Sequence, residues 1–484
     1  MCPLIISPFF VAETAIIASE CEAMDLAIQI LRQYPHDHDV IRGASALIAN
    51  LSLIEENISL IIGCGLVRTL TSLVDSLRKE GADDDDDGEE DFHQADLLAM
   101  VISALTNITK FSDGKEEFVE KCNGIQLFTE LFQDSLAQKE DCAPIFDGVY
   151  SVFANIIFDE RYIKKVVTDE FVSETVSLLN FYLMKGDDNA MFAIEDEDAS
   201  ASVDNDGDDC SSTVSTDDDD EWNDSDDDSG DDEGGSPDDA ICNAFSSICA
   251  FLTNISIEVE YQVLIAWKNG IPPIVDSLGA FSDSPIVCDK ACSLLRNLSL
   301  NGDNRREIAD HGGIHRVLSV LEKHTASPEI CTNACGVIAN LLLDKDVATL
   351  AARENAVCAI AAAVRRNVGE PAVCERGCAA LLLLLKSGCR FALLRAGVCV
   401  STGLNVLKWL VKRGEEKDDE NDDDDESEYD NLCETVCNLI ATGVASQRDY
   451  SLKSVFELNP WITEEFRRMI QGKSGGLLKW FKIW

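Results

Sequence analysis

Cysteines recur as pairs four residues apart: Cys288 and Cys292, Cys331 and Cys335, Cys374 and Cys378, Cys433 and Cys437. On a helix this spacing turns both thiols to one side, so the first chemistry to weigh is metal binding. A structural zinc site needs four ligands, with sulfur at about 2.3 Å. If each pair sits on its own helix, the next pair lies one helix spacing away, on the order of 10 Å, too far to share an ion. The pairs therefore read as small apolar side chains packed between repeats, and no metal is predicted. His311 and His315 are also four apart, but His311 precedes the helix-ending Gly312-Gly313. His36, His38, His93 and His324 are scattered near loops. No Gly-rich phosphate loop follows a strand pattern. The chain is read as a non-enzyme, with no catalytic residue and no cofactor.

What positions the cysteines is a repeat. Cys288-Asp-Lys-Ala-Cys292-Ser-Leu-Leu-Arg-Asn297, Cys331-Thr-Asn-Ala-Cys335-Gly-Val-Ile-Ala-Asn340 and Cys374-Glu-Arg-Gly-Cys378-Ala-Ala-Leu-Leu-Leu383 align without a gap at a spacing of 43 residues. The frame recurs at Cys433, reaching Thr442 where Asn would fall, once a 16-residue acidic stretch is set aside. Upstream it meets Asn254, Asn155, Asn107 and Asn50. A second mark follows the Asn position by 14 to 17 residues in six of the units: Gly65, Gly124, Gly270, Gly313, Ala356 and, after Leu383, Gly397. Glycine there suits a helix C-terminus at which the chain turns with positive φ. After it, Ile314, Val317, Leu318 and Leu321 keep the rhythm of an amphipathic helix. Each unit is thus a short helix, a turn, a helix of about ten residues, a loop and a longer helix ending near Asn.

The run NLSLNGDNRREIADHGGIHRVLSVLEKHTASPEICTNACGVIANL resembles the armadillo repeat family. The resemblance covers about residues 20 to 450 outside the acidic stretches and is strongest over 254 to 360. It implies an all-α fold: a right-handed superhelical solenoid of about nine armadillo-type repeats, the first and last incomplete caps. It also implies a groove on the order of 80 Å long, lined by the third helices, whose Asn residues contact the main chain of an extended ligand. Carried over by position, the peptide-binding ladder is Asn50, Asn107, Asn155, Asn254, Asn297 and Asn340; the alternative is that each Asn only satisfies backbone at a helix end. The ladder breaks at Leu383 and Thr442. Four residues before each Asn, where nuclear-import adaptors of the family carry Trp, stand Ala46, Ser103, Ser151, Ala250, Ser293 and Gly336. With no aromatic wall for a Lys stem, and no basic N-terminal arm, an import-adaptor role is not expected.

Charge is concentrated. Of a net −50, residues 82–91, 186–239 and 415–430 carry −43, and the other 404 residues only −7. All three stretches fall between the second and third helix of a repeat, so they are read as acidic, disordered loop insertions on one edge of the solenoid. The middle one spans about 40 Å root-mean-square. Such a composition argues against direct nucleic-acid binding and favours a basic partner. Solubilising insertions tolerated in loops are the alternative.

The 19 cysteines, odd in number and set in apolar runs, suggest a reducing compartment, cytoplasmic and/or nuclear. The apolar start broken by Pro8 and Glu13 predicts no secretory signal, and no membrane span is expected. The basic, aromatic stretch 461–484 is read as a cap on the last repeat; membrane or partner docking, or a pseudo-ligand for the acidic tails, are alternatives. Together these readings describe a protein-interaction scaffold that binds an extended peptide or helix, with the acidic loops engaging or shielding a basic protein. The second reading is a regulatory subunit of a GTPase-exchange or ubiquitin-ligase complex.

Overall fold

A computed structural model describes residues 23–80, 89–139, 142–199, 237–416 and 426–446. Helices α1 (Ala23–Gln33) and α2 (His38–Leu51) supply the second and third helices of the first repeat among the described residues. Seven three-helix repeats follow. The first three are α3 (Glu55–Gly63), α4 (Leu66–Glu80) and α5 (Glu89–Thr109); α6 (Ser112–Glu116, extended by a π turn to Lys121), α7 (Gly124–Ser135) and α8 (Ala143–Ile156); and α9 (Glu160–Val166), α10 (Asp169–Ala199) and α11 (Pro237–Ile255). Next come α12 (Val259–Trp267), α13 (Ile271–Ala280) and α14 (Pro285–Leu298), then α15 (Gly302–Asp310), α16 (Gly313–Lys323) and α17 (Pro328–Leu341). The last two are α18 (Lys345–Arg353), α19 (Ala356–Arg366) and α20 (Pro371–Lys386), and α21 (Arg390–Leu394), α22 (Ala396–Glu416) and α23 (Glu426–Ser446). The described residues hold eight units of the nine expected. The stretch assigned to a terminal cap, 461–484, lies outside them.

Third helices pack on one another in sequence order, from α2 against α5 through to α20 against α23. Second helices do likewise from α10 against α13 to α19 against α22. Because no unit can bury its apolar face alone, this stacking produces one core continuous from Ala27 to Ile440. The protein is an all-α solenoid.

The helix ends follow from local chemistry. Pro285, Pro328 and Pro371 open third helices at the first position, where no N–H is needed. Ahead of them Ser327 caps the N–H of Ile330, while Asn301 and Asp344 cap α15 and α18. The glycine mark has a different cause from the expected one. Only Gly65 has positive φ; in the other turns it falls one residue earlier, at Asn123, Asn269, Gly312 and Asn355. Gly313 is instead the first residue of α16, where a Cβ would come within 2.6 Å of the Ile308 carbonyl oxygen. Gly270 is constrained the same way by Ile265, so close contact of the first helix with the second selects glycine. Gly397 marks no turn, lying within α22.

The element order puts residues 81–88, 200–236 and 417–425 each between a second and a third helix. Helix runs further into the acidic stretches than their proposed limits. The preceding second helices have 15, 31 and 21 residues against 10 or 11 in α13, α16 and α19. On the far side α5, α11 and α23 start at Glu89, Pro237 and Glu426, with acids in the first turn, where the helix dipole favours them.

Candidate peptide-binding groove

Each third helix turns one side to the core and leaves the other mostly half-buried, and the ladder residues sit near its C-terminal end. Asn107, Asn155, Asn254, Asn297 and Asn340 are half-buried; Asn50, on the first third helix, is exposed. Four of them share one geometry. The amide nitrogen donates to the carbonyl just before the ladder Asn of the preceding repeat: Asn107 to Ala49 (3.0 Å), Asn155 to Thr106 (2.9 Å), Asn297 to Thr253 (3.1 Å), Asn340 to Arg296 (3.0 Å). In three, the same nitrogen also reaches a hydroxyl, of Thr109, Ser256 or Ser299. Asn254 and Asn50 make no such bond among the described residues. The backbone-satisfying role weighed for these residues is therefore present, directed across the repeat boundary rather than within the helix. It uses the nitrogen and holds the side chain fixed, leaving Oδ1 of Asn155, Asn297 and Asn340 as an oriented acceptor. At Asn107 that oxygen accepts from Lys110 Nζ (2.9 Å).

Two rows escaped the sequence reading. Three residues after the Asn stand Leu53, Phe158, Ile257, Leu300 and Leu343, all exposed by half or more. The signal was the same register, one step on. The second row ties second-helix ends together: His324 Nε2 meets the Ser282 carbonyl (2.8 Å), and 43 residues later Asn367 Nδ2 donates to the Thr325 carbonyl (2.8 Å). A histidine and an asparagine at equivalent positions give no shared letter to find.

The cysteine pairs divide their work. Cys288, Cys331 and Cys374 aim their thiols at carbonyls six and seven residues back, at the end of the second helix: Phe281 and Ser282, His324 and Thr325, Asn367 and Val368. Cys292, Cys335 and Cys378 are fully enclosed. Burial pushes the thiols up, to about 12 at Cys288 and Cys374 and about 11 at Cys331, with Cys335 and Cys378 higher still. A thiolate, the form that attacks or binds metal, is thus disfavoured. Among the described residues no three His, Cys, Asp or Glu side chains are grouped to hold a metal ion. His311 and His315 are not on one helix: His311 ends α15 with its ring on the Glu307 carbonyl (2.9 Å), and His315 on α16 stands 3.8 Å from Glu354.

None of the residues four before each Asn is aromatic, and at Gly336 two arginines lie over the helix instead. No single described helix is long and apolar enough to cross a membrane.

No protein-family model matches the chain, and no curated protein matches it. Similar solved structures include a chain from a study of a phosphorylation switch controlling the interaction between cadherin and beta-catenin, 15% identical over 94% of this chain and 96% of that one, TM-score 0.34. The UNC-45 chaperone, from work on binding and folding muscle myosin, is 11% identical over 89% of this chain and 44% of its own, TM-score 0.41. An engineered protein is 13% identical over 76% of this chain and 98% of its own, TM-score 0.34. The packing order of the helices, not these likenesses, carries the fold.

Proposed function

We propose that this protein is a non-enzymatic scaffold that holds an extended peptide or helix of a protein partner along the open face of its third helices. The observation that carries this reading is the side-chain amide ladder. Asn155, Asn297 and Asn340 spend their nitrogen on the neighbouring repeat and present a fixed carbonyl oxygen, the group that pairs with a main-chain N–H regardless of the ligand's sequence. Leu300 and Leu343 offer apolar contact at the ends of the same helices. A main-chain hydrogen bond adds only about 1 kcal/mol net, so binding accumulates over several repeats. Eight stacked third helices at roughly 10 Å each give that length.

The acidic stretches engage or shield a basic protein, supported by −43 of the charge lying in three segments, each between a second and a third helix. The partner is protein rather than nucleic acid, because polyphosphate binding needs Lys and Arg in excess. Buried reduced thiols such as Cys292 and Cys335 suit a reducing compartment, cytoplasm or nucleus.

A photo-crosslinking residue placed at Ser293, on the open face of α14, and at Glu322, on α16, tests the reading in cells. Partner peptides crosslinked from position 293 and absent from 322 are expected; the reverse pattern rejects the groove. Removing residues 200–236 is expected to deplete basic proteins from the recovered set, and an unchanged set rejects the acidic-capture role.

A further inference from the structure

Gly336 occupies the outward side of α17, yet it is buried. Two arginines from flanking repeats cover it. A Cβ at Gly336 would lie 2.8 Å from Cδ and 3.2 Å from Cγ of Arg296, on α14, and 3.2 Å from Nη1 of Arg376, on α20. The missing side chain thus lets one arginine stem and one guanidinium meet on the helix surface where an import adaptor would carry Trp.

Their charges are poorly matched. Arg296 Nη1 donates to Asn333 Oδ1 (2.7 Å), and Asn333 Nδ2 donates to Asp289 Oδ1 (2.8 Å). Asp289 pairs with Lys290 at 3.0 Å. The one carboxylate of the cluster is therefore shared between Lys290 and Asn333 and reaches Arg296 only through an amide. Arg376 makes no hydrogen bond or ion pair among the described residues. Lys290, Asn333 and Arg376 are the same repeat position at intervals of 43, so three stacked helices carry a cation, an amide and a cation in line, with Arg296 between. Three positive groups against one negative leave +2 on a half-buried surface of a chain whose net charge is −50. Burial first, and then Arg376, hold Arg296 below its usual value. Two like charges brought together with one carboxylate shared among three cations are a destabilising arrangement that an anion relieves.

We propose that Arg296 and Arg376 form an anion clasp over Gly336 that grips one carboxylate or phosphoryl group on the bound peptide. This rests on the groove reading and adds which side chain the groove selects. Guanidinium forks take both oxygens of such a group at once, and in a half-buried site the pairing is less screened than at an open surface. The clasp has the opposite sign to the acidic stretches. Its ligand is therefore a bipolar partner: an anionic side chain seated on the sixth repeat between the fifth and the seventh, with basic flanks facing the acids.

Two measurements on the full chain test it. In the first, phenylglyoxal modifies arginines with and without inorganic pyrophosphate, and mass spectrometry reads each site. Slowing of about tenfold at Arg296 and Arg376, with exposed Arg365 unaffected, is expected. No slowing, or equal slowing at Arg365, overturns the clasp. In the second, fluorescein-labelled Gly/Ser/Ala dodecapeptides with a central Glu, phosphoserine or Gln are titrated by polarisation. The Glu or phosphoserine peptide is expected to bind about tenfold tighter than the Gln peptide, the better of the two identifying the anion's source. Arg376→Met removes that preference and Arg365→Met keeps it. Equal binding of all three peptides, unchanged by Arg376→Met, overturns the clasp and leaves the groove standing. Protection by pyrophosphate with no peptide bound supports an anion site and rejects the groove.

Discussion

The third and fourth repeats and the fifth to seventh repeats share helix order but fill their cores differently. Around α7, α8 and α10 the interior is aromatic: Phe132 meets Phe146, Tyr150 and Phe171 with ring centroids 4.8 to 5.9 Å apart, and Phe251 joins from α11. Around α14, α17 and α20 it is made of Cys, Ala, Val, Ile and Leu, with Cys292, Cys335 and Cys378 at equivalent points. Large rings fit one another individually, so each aromatic repeat is its own solution. Small side chains fit any copy of themselves, which is why the 43-residue identity survives in the C-terminal region.

That contrast predicts unequal responses to truncation. Phe132→Ala should cost about 3–5 kcal/mol, read by denaturant melting and as loss of amide protection confined to residues 142–182. Cys335→Ala should cost about 1 kcal/mol; equal costs would mean that the two cores are packed alike.

Alkali should act mainly on the thiol region. A buried thiol whose folded pKa lies above its unfolded value adds stability that is complete below about pH 9 and declines as pH rises toward the folded value, by at most about 1.4 kcal/mol per pH unit per group. Because Cys288 and Cys374 reach about 12 and Cys331 about 11, hydrogen exchange in residues 285–386, taken relative to its intrinsic base-catalysed rate, should report easier opening between pH 9 and 11. Substituting all three by alanine should cut that slope by about half, because the enclosed Cys292, Cys335 and Cys378 are pushed up as well; an unchanged slope would exclude Cys288, Cys331 and Cys374 as contributors.

A finer split lies within each cysteine pair. Cys335→Ser puts a hydroxyl where an enclosed thiol makes no hydrogen bond among the described residues, and should cost about 1–3 kcal/mol. Cys331→Ser keeps an acceptor in the His324 carbonyl and should change melting by less than about 1 kcal/mol. Smallest of all, Leu343→Ser on the exposed row should leave stability within about 0.5 kcal/mol while weakening partner capture; a large drop in melting temperature would show that Leu343 is structural.

How much was legible differs between fold and site. The Asn register located the ends of six third helices to within two residues, because a helix end is set by the residues at it. The same register could not say what the Asn side chains touch. Cys331 and Cys335 look alike in sequence, yet one thiol meets a helix-end carbonyl and the other is enclosed. Glycine at 270 and 313 was visible, but its reason, a carbonyl five residues back, appears only when the first two helices close on each other.

By itself the sequence determined the repeat, its period, the helix order and the position of the acidic stretches, since all of these are encoded by neighbours along the chain. Only the tertiary structure decided that Asn155, Asn297 and Asn340 give their nitrogens to the previous repeat, that His324 and Asn367 serve one purpose, and that Arg296 and Arg376 converge on Gly336. The physical reason is that periodicity declares which residues are equivalent, whereas contacts form between residues some 40 to 80 apart that meet once the repeats have stacked.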